Sequence, residues 1–298
     1  MEYRNLGNTG LKVSRLGFGG AEIGLENQNQ DSVERLLGSA IDAGLNLVDT
    51  AAAYLTSEEL IGNALLDHRK DIVLISKCGA VDGFTRFDWS KDGILKTIER
   101  SLKLLQTDYL DIMQLHSCDA ETISQGECIE ALIVAKERGY IRFAGYSGDH
   151  SDAVAAIETD FFDTLQTSVS VADQEPIELT LPLAIEREMG VIAKRPVANA
   201  VWRHSELPEE PYHHEYWNRI EKLLFPFLEG PLGESVGHAL RFTLSVEGVT
   251  TAIVGTTKPG RWEENSRYVG MGPLEASEFD SIRERWKEVA TEDWRGQV

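Results

Sequence analysis

The sequence lacks most of what would direct it to a membrane, a nucleic acid or an oxidising compartment. Cysteine is scarce: Cys78, Cys118 and Cys128 are too few and too irregularly spaced for a disulfide framework or a zinc knuckle, so packed thiols are expected. There is no run of about 20 apolar residues to span a bilayer, and the early Glu2, Arg4 and Asn5 do not resemble a secretory signal, so a cytoplasmic location is expected. Positive charge is in deficit, with 29 Lys and Arg against 49 Asp and Glu and a formal net charge of −20, which excludes nucleic acid and membrane as expected partners. No low-complexity tract or linker divides the 298 residues, and the 42% apolar fraction suffices for one large core, so a single domain over 1–298 is expected. The glycine-rich segment Gly17 to Glu22 lacks the third glycine of a dinucleotide-binding fingerprint, which argues against an open doubly wound sheet.

What is present is repeated helix-to-strand punctuation. Four times a helix-like segment stops at a glycine and an apolar run follows, at Gly44, Gly139, Gly190 and Gly248, since glycine accepts the left-handed conformation that closes a helix. The helices carry one apolar face each, as in Ile94, Ile98, Leu102 and Leu105, or Val33, Leu36, Leu37, Ala40 and Ile41. Asp31 with Glu34 and Thr56 with Glu59 read as capping boxes. Strands are expected near 15–18, 45–49, 72–77, 110–116, 141–146, 162–166, 191–195 and 250–254, apolar throughout and so covered on both faces. Eight strands alternating with helices predict an α/β fold, a (β/α)8 TIM barrel. The opening residues, with a turn at Asn8-Thr9-Gly10, predict an N-terminal β-hairpin plugging the lower end, and the chain closes with an extra C-terminal helix.

Four polar side chains of different chemistry, Asp49, Tyr54, Lys77 and His116, sit at or just past the ends of successive apolar runs. If those strands are parallel neighbours, a carboxylate, a phenol, an ammonium and an imidazole meet at one rim. Singly, each is more often structural than catalytic; together at strand ends they point to proton-transfer chemistry. Near the C-terminus, Lys258, Arg261 and Arg267 surround a turn that leads into a short helix, with Thr256 and Thr257 adding hydroxyls, a combination suited to phosphate.

The segments DTAAAYLTSEELIG (49–62), ISKCG (75–79), LHS (115–117) and IVGTTKPGRWEEN (253–265), with the opening NLGNTGLKVSRLGFGG, resemble the aldo-keto reductases over nearly the whole chain. The resemblance implies an oxidoreductase that binds NADPH (NADP) and transfers hydride to an aldehyde or ketone, a small-molecule carbonyl or alcohol substrate. Asp49, Tyr54, Lys77 and His116 match the family's catalytic four. Tyr54 is the expected acid, made more acidic by the Lys77 ammonium; Asp49 keeps Lys77 charged, and His116 orients the carbonyl. Ser147 and Gln166 match the pair that bonds the nicotinamide carboxamide. Gly255, Thr256, Thr257, Lys258, Arg261, Glu264 and Asn265 cover the segment that grips the adenosine 2′-phosphate and adenine, with Arg261 suited to the phosphate.

Three features depart from the family pattern. Leu55 replaces the glycine after the tyrosine, and Gly148 stands where an asparagine follows the serine. Lys194 and Arg195 occupy the place of an aromatic ring that stacks on nicotinamide, where a cation could contact the pyrophosphate instead. A nicotinamide-binding sensor or accessory subunit with little turnover is the alternative these departures suggest. Two loops hold aromatic pocket candidates: 81–89, with Phe84, Phe87 and Trp89, and 198–233, with Trp202, Tyr212, Tyr216, Trp217, Phe225 and Phe227. No metal site is expected, since the adjacent His213 and His214 would point apart on a helix. Gly145 to Asp149 lacks the last glycine of a nucleophile elbow, so a serine hydrolase is disfavoured.

Overall fold

The computed structural model describes residues 1–297. In chain order, β1 (Tyr3–Asn5) pairs antiparallel with β2 (Lys12–Ser14). After it come β3 (Leu16–Gly19), β4 (Leu47–Asp49) and β5 (Val73–Cys78), a small hairpin of β6 (Ala80–Asp82) with β7 (Arg86–Phe87), then β8 (Leu110–His116), β9 (Ile141–Ser147), β10 (Thr164–Ser168), β11 (Gly190–Lys194) and β12 (Val249–Val254). The eight strands β3, β4, β5, β8, β9, β10, β11 and β12 close into a parallel barrel, with the seam where Ala252 of β12 pairs Leu16 of β3. The expected α/β barrel is thus observed, as are the N-terminal hairpin and a C-terminal helix, Ala276–Val289. Among the described residues, no helix is long and apolar enough to cross a membrane.

Alternation along the strands divides the barrel interior into two storeys. Residues two apart share a face, so Leu47 and Asp49, Ile75 and Lys77, Ile112 and His116, and Ile192 and Lys194 point to the same side. The lower members form an apolar cluster, Leu47, Val73, Ile75, Ile112, Ile192 and Ile253, joined by Leu6, Leu11 and Val13. The hairpin therefore plugs the lower end, as its sequence predicts. The upper members are polar and meet at the C-terminal end of the strands, the face where barrel sites are built.

Local differences from expectation have physical reasons. Gly44, Gly139 and Gly248 take positive φ as helix stops, but at the fourth turn the left-handed residue is Glu188, at φ 53°. Gly190 is needed there for space, because a Cβ would lie 2.5 Å from the Leu6 side chain. The helix Gln30–Asp42 is capped by Asn29, whose side chain accepts from the Ser32 amide, and not by an Asp31–Glu34 box. Thr56 precedes Ser57–Ala64 without a side-chain cap bond. That helix is held by Ser57, which hydrogen-bonds the Gly20 carbonyl at 2.7 Å and the Thr50 hydroxyl at 2.9 Å.

Candidate active site

Asp49 ends β4, Lys77 lies near the end of β5 and His116 ends β8, three neighbouring strands; Tyr54 stands in the loop after β4. The Lys77 ammonium donates to Asp49 Oδ2 at 2.6 Å and to the Thr50 carbonyl at 3.0 Å, and it reaches the Tyr54 hydroxyl at 3.5 Å. The Tyr54 ring meets His116 edge-on, centroids 5.7 Å apart. Asp49 Oδ1 accepts from Gln166 Nε2 at 2.9 Å, and Ser147 donates to Gln166 Oε1 at 3.2 Å. A continuous polar ladder therefore runs Ser147, Gln166, Asp49, Lys77, Tyr54 across the mouth. All four residues expected to carry chemistry come together.

Their electrostatics differ from expectation in one respect. Burial pulls Lys77 down, but Asp49 and Tyr54 outweigh it and hold the ammonium above its ordinary range. For Tyr54, burial outweighs the Lys77 charge, so the phenol is pushed up instead of being made acidic. Its hydroxyl keeps its proton near neutrality. Burial, then Lys77, Lys194 and Arg195, hold His116 well below the usual imidazole range, so it is neutral and can donate through one nitrogen only. Among the described residues its Nδ1 has no partner.

The residues expected to hold a nucleotide fall into two groups. Ser147 and Gln166 lie on the ladder, as described. Lys194 and Arg195, the proposed pyrophosphate contacts, have their head groups engaged by the chain. Lys194 Nζ is 2.8 Å from Asp149, and Arg195 donates to the Tyr212 hydroxyl at 2.6 Å and to Ser168 Oγ at 2.8 Å. The second group lines the turn after β12 and the helix Arg261–Val269. Arg261 is paired with Glu264 at 2.9 Å and Thr257 bonds Glu26 at 3.0 Å, whereas Lys258 is exposed. Asn265 is buried, and its Oδ1 has no partner among the described residues. A buried amide oxygen without a donor, beside a helix N-terminus with exposed cations, fits a ligand that brings both an amine and a phosphate.

Sequence reasoning missed two carboxylates here. Asp149 is buried and accepts from Thr167 Oγ1, the Ser168 amide and Ser168 Oγ as well as facing Lys194. Burial alone would raise its pKa, but Lys194 and Arg195 hold it below the ordinary range. The only signal in the sequence is a carboxylate just past the fifth barrel strand. Glu22, pushed up by burial, lies so close to Gly255 that a Cβ there would sit 1.8 Å from its Oε2.

The departures also find explanations. Leu55 sits at φ 49°, the left-handed conformation a glycine adopts freely, and its side chain is 57% exposed at the rim. A side chain at Gly148 would force Tyr146 to shift, because a Cβ would lie 2.5 Å from the Tyr146 hydroxyl, which donates to the Cys118 carbonyl. Leu55, Ser117 and Arg195 have positive φ in loops that follow barrel strands, and so does His150 at the start of the helix after β9. Strain of this kind collects at functional faces.

The two aromatic loops contribute unequally. In the β6–β7 hairpin, Phe84 approaches both Tyr54, at 6.0 Å, and His116, at 5.6 Å, while Phe87 stacks on Trp89. In the longer loop Tyr212 bonds Arg195 at the mouth. Tyr216 is buried on Asp173, Trp202 bonds Ser235, and Phe225 and Phe227 stack on each other, so most of that loop is packing. Among the described residues, no group of three or more His, Cys, Asp and Glu is placed to hold a metal.

Nearly the whole chain is similar to known proteins. The Aldo/keto reductase family model matches residues 15–287. Oxidoreductase YqkF of Bacillus subtilis is 28% identical, over 97% of both chains. L-galactose dehydrogenase of Arabidopsis thaliana is 29% identical, over 97% of this chain and 96% of its own. The holo form of aldo-keto reductase AKR11C1 from Bacillus halodurans superposes with a TM-score of 0.82 at 29% identity, covering 99% of each chain.

Proposed function

The chain belongs to the aldo/keto reductase family of oxidoreductases, and we propose that it is an NADPH-dependent enzyme that reduces aldehydes or ketones, or oxidises the corresponding alcohols or sugars, with Tyr54 as general acid. The observation that carries this reading is the ladder in which Lys77, clamped by Asp49, reaches the Tyr54 hydroxyl beside a neutral His116.

NADPH, when bound, supplies hydride to the carbonyl carbon. The carbonyl oxygen then gains negative charge, and two donors of this chain are set to meet it, the Tyr54 hydroxyl and one nitrogen of His116. Tyr54 does not need an unusually low pKa for this role. An alkoxide is a far stronger base than phenolate, so a phenol that stays protonated still transfers its proton downhill. The Lys77 ammonium steadies the phenolate left behind, and Asp49 keeps that ammonium charged and aimed. In alcohol oxidation the same phenolate takes the proton back. Ser147 and Gln166 would hold the nicotinamide carboxamide. Asn265 would meet the adenine amine, and Lys258 with Arg261 the 2′-phosphate, which favours NADPH over NADH.

Fluorescence titration with NADPH and turnover over an aldehyde panel, with Tyr54→Phe alongside, test this reading. The expected result is binding by both proteins and a loss of at least about 100-fold in kcat for the variant, the range set by general acid catalysis. Binding without turnover of any aldehyde by the unaltered protein would instead favour a nicotinamide-binding accessory role.

A further inference from the structure

The charges at the barrel mouth do not cancel. Around His116 stand three cations, Lys77, Lys194 and Arg195, and two anions, Asp49 and Asp149. Lys77 with Asp49 and Lys194 with Asp149 form pairs at 2.6 and 2.8 Å. Arg195, 4.0 Å from Asp149 and bonded to the neutral Tyr212 and Ser168, is left over. In a chain of net charge −20, the floor of the mouth thus carries about one surplus positive charge. The arrangement is fixed: Lys194 takes the inward register of β11 opposite Ser168 of β10, one step above the apolar Ile192, and Asp149 is clamped by Thr167 and Ser168. Burial draws Lys194 below its ordinary range, and the Asp149 carboxylate at 2.8 Å opposes that shift by favouring the ammonium.

A nicotinamide ring is neutral when reduced and a pyridinium cation when oxidised. Resting on the reading that this mouth receives the nicotinamide, we propose that the Lys194, Arg195 and Asp149 cluster makes the site discriminate between the two states, holding NADPH more tightly than NADP+. The discrimination follows the net charge of the cluster and not the shape of any one side chain. By linkage, the preference draws the bound reaction toward NADPH and carbonyl.

Isothermal titration of the full chain with NADPH and with NADP+ tests this through the ratio of the two dissociation constants. Lys194→Met removes one positive charge and keeps the aliphatic stem, so the NADP+ to NADPH ratio falls by about tenfold, the scale of one unit charge at close range in a partly buried site. Asp149→Asn adds one net positive charge and moves the ratio the other way. The double variant restores the net charge and brings the ratio back toward that of the unaltered protein. If Lys194→Met fails to fold because Asp149 is left unpaired, Arg195→Gln makes the same one-charge change with the buried pair intact, and the same fall is expected. A cluster that serves only packing would shift both affinities together and leave the ratio constant, which overturns the inference. Should the unaltered protein bind neither nucleotide, the proposed function itself fails and takes the inference with it, a result plainly different from a constant ratio.

Discussion

Lys77 and Asp49 offer a sharp test of how the site is built. Their side chains are 1% and 2% exposed and 2.6 Å apart, so each charge is tolerated only because the other is there. Lys77→Met leaves the Asp49 carboxylate buried with only Gln166 and no cation, and breaking a buried pair in this way costs about 3–5 kcal/mol. At roughly 2.1 cal/mol/K of unfolding entropy per residue, the 298-residue chain has about 0.6 kcal/mol per degree, so the melting temperature falls by about 5–8 °C. Asp49→Asn alone should lose a similar amount, since it strands the ammonium. The double variant Asp49→Asn with Lys77→Met removes both charges and leaves near-isosteric groups, and it should recover most of the loss. Asparagine can still accept from Gln166. Activity should not recover in the double variant, because Tyr54 has lost its cation. Thermal melts by circular dichroism and turnover of one aldehyde measure the two halves. A double variant as unstable as the lysine variant would refute the buried-pair reasoning; one that regained turnover would refute the role of Lys77.

Three further outcomes follow from positions near the mouth. Leu55→Gly relieves a left-handed leucine worth about 1–2 kcal/mol but adds chain entropy to the unfolded state, so stability rises by only about 0.5 kcal/mol; the mouth widens, and kcat/KM should rise for branched or aromatic aldehydes and hold for small ones. Gly148→Asn, which restores the amide common in the family, should destabilise by about 1–3 kcal/mol because the new Cβ meets Tyr146, and a melt that did not move would show that Tyr146 yields. Glu22 has a raised pKa, and a raised carboxyl favours the folded state most below its unfolded value, that advantage being lost as pH rises through the folded one. Its charge also faces any phosphate at Gly255, so NADPH affinity should weaken as pH rises through that same pKa, and Glu22→Gln should flatten the difference; equal pH profiles for the two proteins would exclude the carboxylate from the phosphate path.

The barrel was legible in the sequence because its signals are local. Each strand is a short apolar run, each helix carries one stripe, and three of the four glycine stops take the left-handed backbone that glycine there suggests. The fourth shows the limit. Gly190 is required by the Leu6 side chain of a hairpin more than 180 residues away in sequence, while Glu188 takes the turn. A pattern identifies the need for glycine; only the packing says which need it is. The aromatic loops teach the same lesson, since Tyr216 and Phe225 look like pocket residues in sequence and are core in the fold, whereas Phe84 stands over Tyr54 and His116.

The four polar side chains at the mouth were legible for a different reason, that chemistry of four kinds at strand ends is rare without a purpose. Their energetics were not. Reading the sequence counts the cation beside a phenol but not the water removed from it, and at Tyr54 the second effect is the larger. Asp149 was invisible as a partner because 45 positions separate it from Lys194, and only the register of β10 against β11 brings Ser168, and with it the bound carboxylate, opposite that lysine. Both misses concern the same quantity, the balance between desolvation and nearby charge. That balance decides whether the mouth holds a proton on Tyr54 and repels a cationic ring, so the chemistry of this site rests on burial as much as on residue identity.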